Sequence, residues 1–235
     1  MNFLEHLEEL RIRLIRSILI LGTSTIVCMV FSKYLLELIT RTFIADETSH
    51  LALLQPTEGF MVRLKVAFVA GIFLSSPLWF AQLWGFISPG IYKNEKRVIY
   101  PVIAASALAF LIGAAFGYWI LPYAVVYFRS FSLAGMTVNW SLEKYLDFAL
   151  RLLVAFGLVF ELPLIVYLLA KLGVVTPKQL RKYRRHVWVG VLILAALITP
   201  PDIFTMIVLA LPLIVLYEVG ILMASLGTRK TEVKT

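Results

Sequence analysis

The sequence predicts an all-α integral membrane protein: six transmembrane helices with both termini on the cytoplasmic side. Three observations carry that expectation. The 235 residues have a mean hydropathy of +0.88 and only 15% charged residues, well below the roughly 25% of soluble domains. The apolar residues fall in long runs rather than alternating, and of the two structures that satisfy the backbone in lipid, such runs fit helices and not a barrel. Lysine and arginine then cluster in connections that share one side if the runs are six spans. Residues 1–16 hold three, 93–97 three, 171–185 six and the tail from 229 three, out of 22, and the basic side is the cytoplasmic one.

The opening segment 1–16, MNFLEHLEELRIRLIR, places Phe3, Leu7, Leu10 and Leu14 at three- and four-residue spacing. That is an amphipathic helix whose apolar stripe lies on the membrane or on the protein. It begins acidic, leads into a long apolar run and shows no cleavage pattern, so it is expected to be retained. The first span follows at about 17–36, near the ~20 residues a bilayer core requires. A polar loop covers 40–60, and the second span covers about 61–87, where Pro77 lacks a backbone donor and should bend the helix. A short charged connection, Ile91 to Arg97, leads to the third span, about 98–126, with Pro101 and Pro122 read as first- and last-turn prolines.

A second polar loop, 127–146, precedes the fourth span, about 145–169, which carries Phe160-Glu161-Leu162-Pro163 at membrane depth. The basic connection 171–185 leads to a short fifth run, 187–199. The corner Thr199-Pro200-Pro201-Asp202 turns into the sixth, about 203–224, with Asp202 placed to cap it. The fifth run rises only about 20 Å against the ~30 Å of bilayer hydrocarbon. The sixth meets Glu218 after a similar rise of about 22 Å. Local bilayer thinning or partner proteins must absorb that mismatch.

The inventory of reactive residues argues for binding over catalysis. The lone cysteine, Cys28, lies in an apolar run and reads as a buried thiol. His6, His50 and His186 lack metal-ligand spacing, and there is no phosphate loop, dinucleotide fingerprint or nucleophile elbow. Neither a metal, a cofactor nor a nucleic-acid partner is expected. Three carboxylate positions remain. Glu5 and Glu9 share one face of the first helix with Glu8 beside them, although Glu9 with Arg13 and Glu8 with Arg11 also form the helical pairs of an ordinary solvated face. Glu95 lies in the connection on the same side, where its alternative is a surface ion pair worth about 0–1 kcal/mol. Glu161 costs about 2.5–3.5 kcal/mol on insertion scales, so it faces a cavity or partner or is protonated. Pro163 adds a freed carbonyl at Val159.

Four runs together resemble the TatC family, the multispanning receptors of the twin-arginine protein translocase. They are His6-Leu-Glu-Glu-Leu-Arg11; Ser76-Pro77 through Gln82-Leu-Trp-Gly-Phe86-Ile-Ser-Pro89 to Tyr92-Lys-Asn-Glu95-Lys-Arg97; Phe156-Gly157 with Phe160-Glu161-Leu-Pro163; and Thr199-Pro-Pro-Asp202. The resemblance implies a glove-shaped six-helix protein of the prokaryotic plasma (inner) membrane that binds the Arg-Arg signal peptides of folded precursors. It further implies TatA- and TatB-type single-span partners, assembly into a larger complex, and transport drawing on the proton-motive force without ATP. Carried over by position, Glu9 and Glu95 contact the signal's arginines, Glu8 assists, Phe86 belongs to the same site, and Glu161 is an intramembrane contact for a partner or the inserted signal. A proton-shuttling role for Glu161 stays open. The competing class is a secondary transporter or channel with Glu161 as coupling carboxylate. That class predicts an internal repeat and several intramembrane ionisable groups, whereas the sequence shows no clear repeat and one deep carboxylate.

Overall fold

The structure, a computed structural model, describes residues 3–43, 49–91, 96–131, 138–171, 173–198 and 203–232. Glu95 and the corner residues Pro200, Pro201 and Asp202 lie outside the described residues. The first helix, α1 (Phe3–Val30), is continuous for 28 residues, joining the amphipathic stretch 1–16, expected on the membrane or on the protein, to the span expected from about 17. No proline interrupts it, and the Glu9–Arg13 pair, one turn apart at 2.7 Å, neutralises charge within the helix. The break comes only at Phe31, followed by α2 (Ser32–Thr40). In the apolar stretch Leu7–Val30 the one buried residue is Cys28, which leaves most of α1 facing lipid or a partner.

The remaining elements are β1 (Ser49–Ala52), α3 (Glu58–Leu74), α4 (Ser76–Ile91), α5 (Lys96–Arg129), β2 (Val138–Ser141), α6 (Leu142–Phe160), α7 (Leu162–Lys171), α8 (Pro177–Lys182), α9 (Arg184–Ile198) and α10 (Ile203–Glu232). Prolines set two of the breaks. Pro77 is the second residue of α4, and the axes of α3 and α4 differ by 56°, the bend expected of a residue without an N–H. Pro163 likewise stands second in α7, just past the break at Glu161. Pro101 and Pro122, read from sequence as end-of-span prolines, lie inside the 34-residue α5. By length and composition, α1, α5 and the joined α6–α7 suffice to cross a bilayer, and α3–α4 makes a fourth span if the bent pair is one. The 15 residues of α9 and the apolar part of α10, Leu209–Ser225, are shorter. The protein is thus a helical membrane protein, with one addition: β1 and β2 form a parallel two-stranded ladder from Ser49↔Val138 to Ala52↔Ser141.

That ladder is locked by Glu58. Its carboxylate is 3% exposed and accepts from Leu54 N (2.6 Å), Gln55 N (3.2 Å), Glu143 N (2.8 Å) and Ser141 Oγ (3.1 Å). A buried charge is tolerable when its lone pairs are filled in this way. Two turns further along α3, Lys65 Nζ binds Glu143 Oε1 (2.8 Å) and Asp147 Oδ1 (2.7 Å), tying α3 to α6. Tyr145 adds a third tie, donating to the Ile39 carbonyl at 2.9 Å at the end of α2.

The core lies between α5, α6 and α10, where Leu121, Leu146, Leu152, Phe156 and Leu213 are almost wholly buried. Here α5 and α6 touch backbone to backbone. A methyl at Gly113 would land on the Phe156 carbonyl and within 2.9 Å of Gly157 Cα, and one at Gly117 would meet Leu153 Cα at 3.3 Å. The Gly113-x-x-x-Gly117 spacing puts both glycines on one face, the arrangement that lets membrane helices approach closely.

Candidate functional site

The packing of α4 against α1 forms an apolar groove of about 350 Å³, lined among others by Leu10, Arg13, Ile18, Trp79, Gln82 and Phe86. Glu9 stands one turn before Arg13 on α1. Arg13 Nε and Nη2 both donate to the same oxygen, Glu9 Oε1, at 2.9 and 2.7 Å, while Nη1 reaches the Gln82 backbone carbonyl at 3.5 Å. Gly85 makes room for this, since a β-carbon there would run into the Arg13 guanidinium. The second oxygen of Glu9, Oε2, is buried without a hydrogen-bond partner, and so is the side-chain oxygen Oε1 of Gln82. Buried polar atoms are rarely left unmatched, so two waiting acceptors beside one apolar groove fit a ligand that brings N–H donors and apolar surface together.

The structure brings two of the residues singled out by sequence, Glu9 and Phe86, to this groove region. Glu8 is exposed on α1 next to Glu9. Gln82, Gly85 and the bridging role of Arg13 escaped sequence reasoning. Gln82 and Gly85 stood inside a quoted motif but carried no charge or metal-ligating chemistry to mark them. Arg13 read as one half of a routine helical ion pair.

Glu161 occupies a different place. It is 4% exposed at the α6–α7 break, with a hydrogen bond to Ser106 on α5. Trp84 Nε1 donates to Ser106 Oγ at 2.8 Å, which leaves the serine proton free to point at the carboxylate. This chain of contacts joins α4, α5 and α6, and Glu161 Oε1 still lacks a partner. Near α9, Arg184 pairs with Glu218 of α10, so the first charge met along α10 is bound to the basic connection. Among the described residues, no cluster of His, Cys, Asp and Glu is arranged to hold a metal.

Comparison with known proteins extends this picture. Residues 5–212 match the family model described as Sec-independent protein translocase protein (TatC). A TatC protein of Desulforapulum autotrophicum is 39% identical over 233 residues, covering 98% of this chain and 86% of the relative. One from Helicobacter pylori is 41% identical over 222 residues, covering 94% and 86%. A crystal structure of the twin-arginine translocase receptor TatC superposes with a TM-score of 0.86 at 36% identity, covering 95% of this chain and 99% of that one. With sequence and fold both matching over nearly the full length, the chain belongs to the TatC family of Sec-independent protein translocase proteins.

Proposed function

We propose that this protein is the receptor of its translocase for twin-arginine signal peptides. The observation that supports the reading most directly is the unfilled oxygen of Glu9 beside the apolar α1–α4 groove. A signal peptide presents arginines next to an apolar segment, and the groove pairs an anionic acceptor with apolar walls. Glu95, on the connection after α4, supplies the second carboxylate, Glu8 assists, and Phe86 bounds the apolar path. Six spans with both termini in the cytoplasm of a prokaryotic cell agree with the placement of basic residues. The 15-residue α9 and the short apolar part of α10 make thinned bilayer, single-span partners of the TatA and TatB type and self-assembly the means by which a folded cargo passes. The driving force is the proton-motive force.

Co-purification tests the receptor reading. The full-length protein in mild detergent is expected to retain a folded precursor bearing an Arg-Arg signal and to lose the same precursor bearing Lys-Lys. Equal retention of both would sink it.

Glu161 acts in this scheme as a polar contact within the helical face rather than as an obligatory titrating group. Its Ser106 contact needs an acceptor, which glutamine also offers. Export measured in cells is expected to stay near wild type for Glu161→Gln and to fall several-fold for Glu161→Ala. Loss of export in Glu161→Gln would instead point to titration during transport.

A further inference from the structure

We infer that Gln82 is a second acceptor for the guanidinium bound in the α1–α4 groove, and that Arg13 is the positioning residue that keeps Glu9 ready for it. The inference rests on the receptor reading and deepens it by assigning what selects arginine over lysine at this site.

Arg13 sends two donors to Glu9 Oε1 and none to Oε2. The internal guanidinium therefore fixes the carboxylate and leaves one oxygen over. Its third arm lies at the Gln82 backbone carbonyl, which places residue 82 beside the same guanidinium, and the Gln82 side-chain oxygen is the other buried acceptor without a donor. The site thus offers one anionic and one neutral acceptor, on two different helices. Lysine carries one compact ammonium, whereas arginine carries five N–H groups in a planar fork that bridges separated acceptors. A neutral acceptor adds no net charge that would draw lysine as well, so what it contributes is a hydrogen bond that the arginine fork reaches and the compact ammonium does not. Gly85 belongs to the same device, because a side chain there would displace Arg13.

The test uses the full chain in lipid nanodiscs and fluorescence anisotropy with labelled Arg-Arg and Lys-Lys signal peptides. Gln82→Leu is expected to weaken the Arg-Arg peptide about tenfold, the worth of one hydrogen bond to a charged group, and to leave the Lys-Lys peptide unchanged. Gln82→Glu, which keeps the acceptor, is expected to retain or tighten Arg-Arg binding. Arg13→Ala should narrow the Arg-over-Lys ratio, and Arg13→Lys should restore most of it. Equal weakening of both peptides by Gln82→Leu would reduce Gln82 to a packing residue, and loss of Arg-Arg binding in Gln82→Glu would show that the amide N–H is what counts. Either result overturns the inference. The unsubstituted protein separates the levels: if it binds the Arg-Arg and Lys-Lys peptides equally, the receptor reading itself fails. If it prefers Arg-Arg and Gln82→Leu keeps that preference in full, only the assignment of Gln82 falls.

Discussion

Replacing Glu9 and Glu95 together by glutamine is expected to bring the Arg-Arg to Lys-Lys binding ratio close to one. Two exposed ion pairs would supply only about 0.4–2 kcal/mol. The Glu9 side chain is 22% exposed, however, and partly shielded charge-assisted bonds are worth about 1.5–3 kcal/mol each. Losing one such bond at Glu9 weakens the Arg-Arg peptide by roughly 10–10², and loss of the Glu95 charge adds to that. Micromolar binding requires about 8 kcal/mol, so the remainder must come from the apolar segment at about 25 cal/mol per Å² buried. The double variant therefore keeps weak, unselective binding, since the acids choose the ligand and the groove holds it. Site-directed crosslinking to both peptides reads this directly. Undiminished preference for Arg-Arg in the double variant would remove the carboxylates from the recognition step.

Gly113→Val is expected to cost the protein its folded state in the membrane. The added carbons meet the Phe156 carbonyl and Gly157 Cα, which are backbone atoms of α6 and cannot swing aside as a side chain would. Overpacking against side chains costs about 1–3 kcal/mol. A clash between two backbones at the centre of the core exceeds that and consumes much of the ~5–15 kcal/mol that holds a typical domain together. The contrasting substitution is Gly190→Ala in α9, where no atom lies within 4 Å of the new methyl. There the helix gains up to about 1 kcal/mol from the better helix former. Melting temperatures of both variants in detergent separate the cases: the first should fall sharply or fail to accumulate, the second should hold or rise. A Gly113→Val protein that melts like wild type would mean that α5 and α6 sit further apart than described.

Those two glycines show where sequence reading reached and where it stopped. Apolar runs placed the helices because lipid demands long, continuous stretches. Pro77 and Pro163 marked real breaks because a missing N–H acts locally. Glu161 stood out because a carboxylate in a run such as LVFELPL has no cheap explanation. The close approach of α5 and α6 depends instead on which residue of a distant helix faces Gly113, and spacing within one helix does not reveal that. The β1–β2 ladder was invisible for a similar reason, since Ser-His-Leu-Ala and Val-Asn-Trp-Ser are too short to show alternation and pair across the whole of α3, α4 and α5. At α1 the apolar spacing suggested an amphipathic helix on the membrane or on the protein, and the helix carries that stretch unbroken into the first apolar run, with Glu9 and Arg13 paired along it. The same pairing disguised the binding site, because what distinguishes Glu9 is the oxygen that Arg13 leaves alone.

The clasp around Glu58 also has a bearing on how the protein is made. Glu58 and Ser141 are 83 residues apart, and at a synthesis rate of about 5–20 residues per second the carboxylate waits roughly 4–17 s for its partner. Through that interval α3, α4 and α5 are made, and β1 has no strand to pair with. Closure comes when residues 138–143 emerge, in one step that fills both the carboxylate and the ladder. The clasp can therefore close only after the first five helices have been made, which ties this end of the bundle to the order of translation.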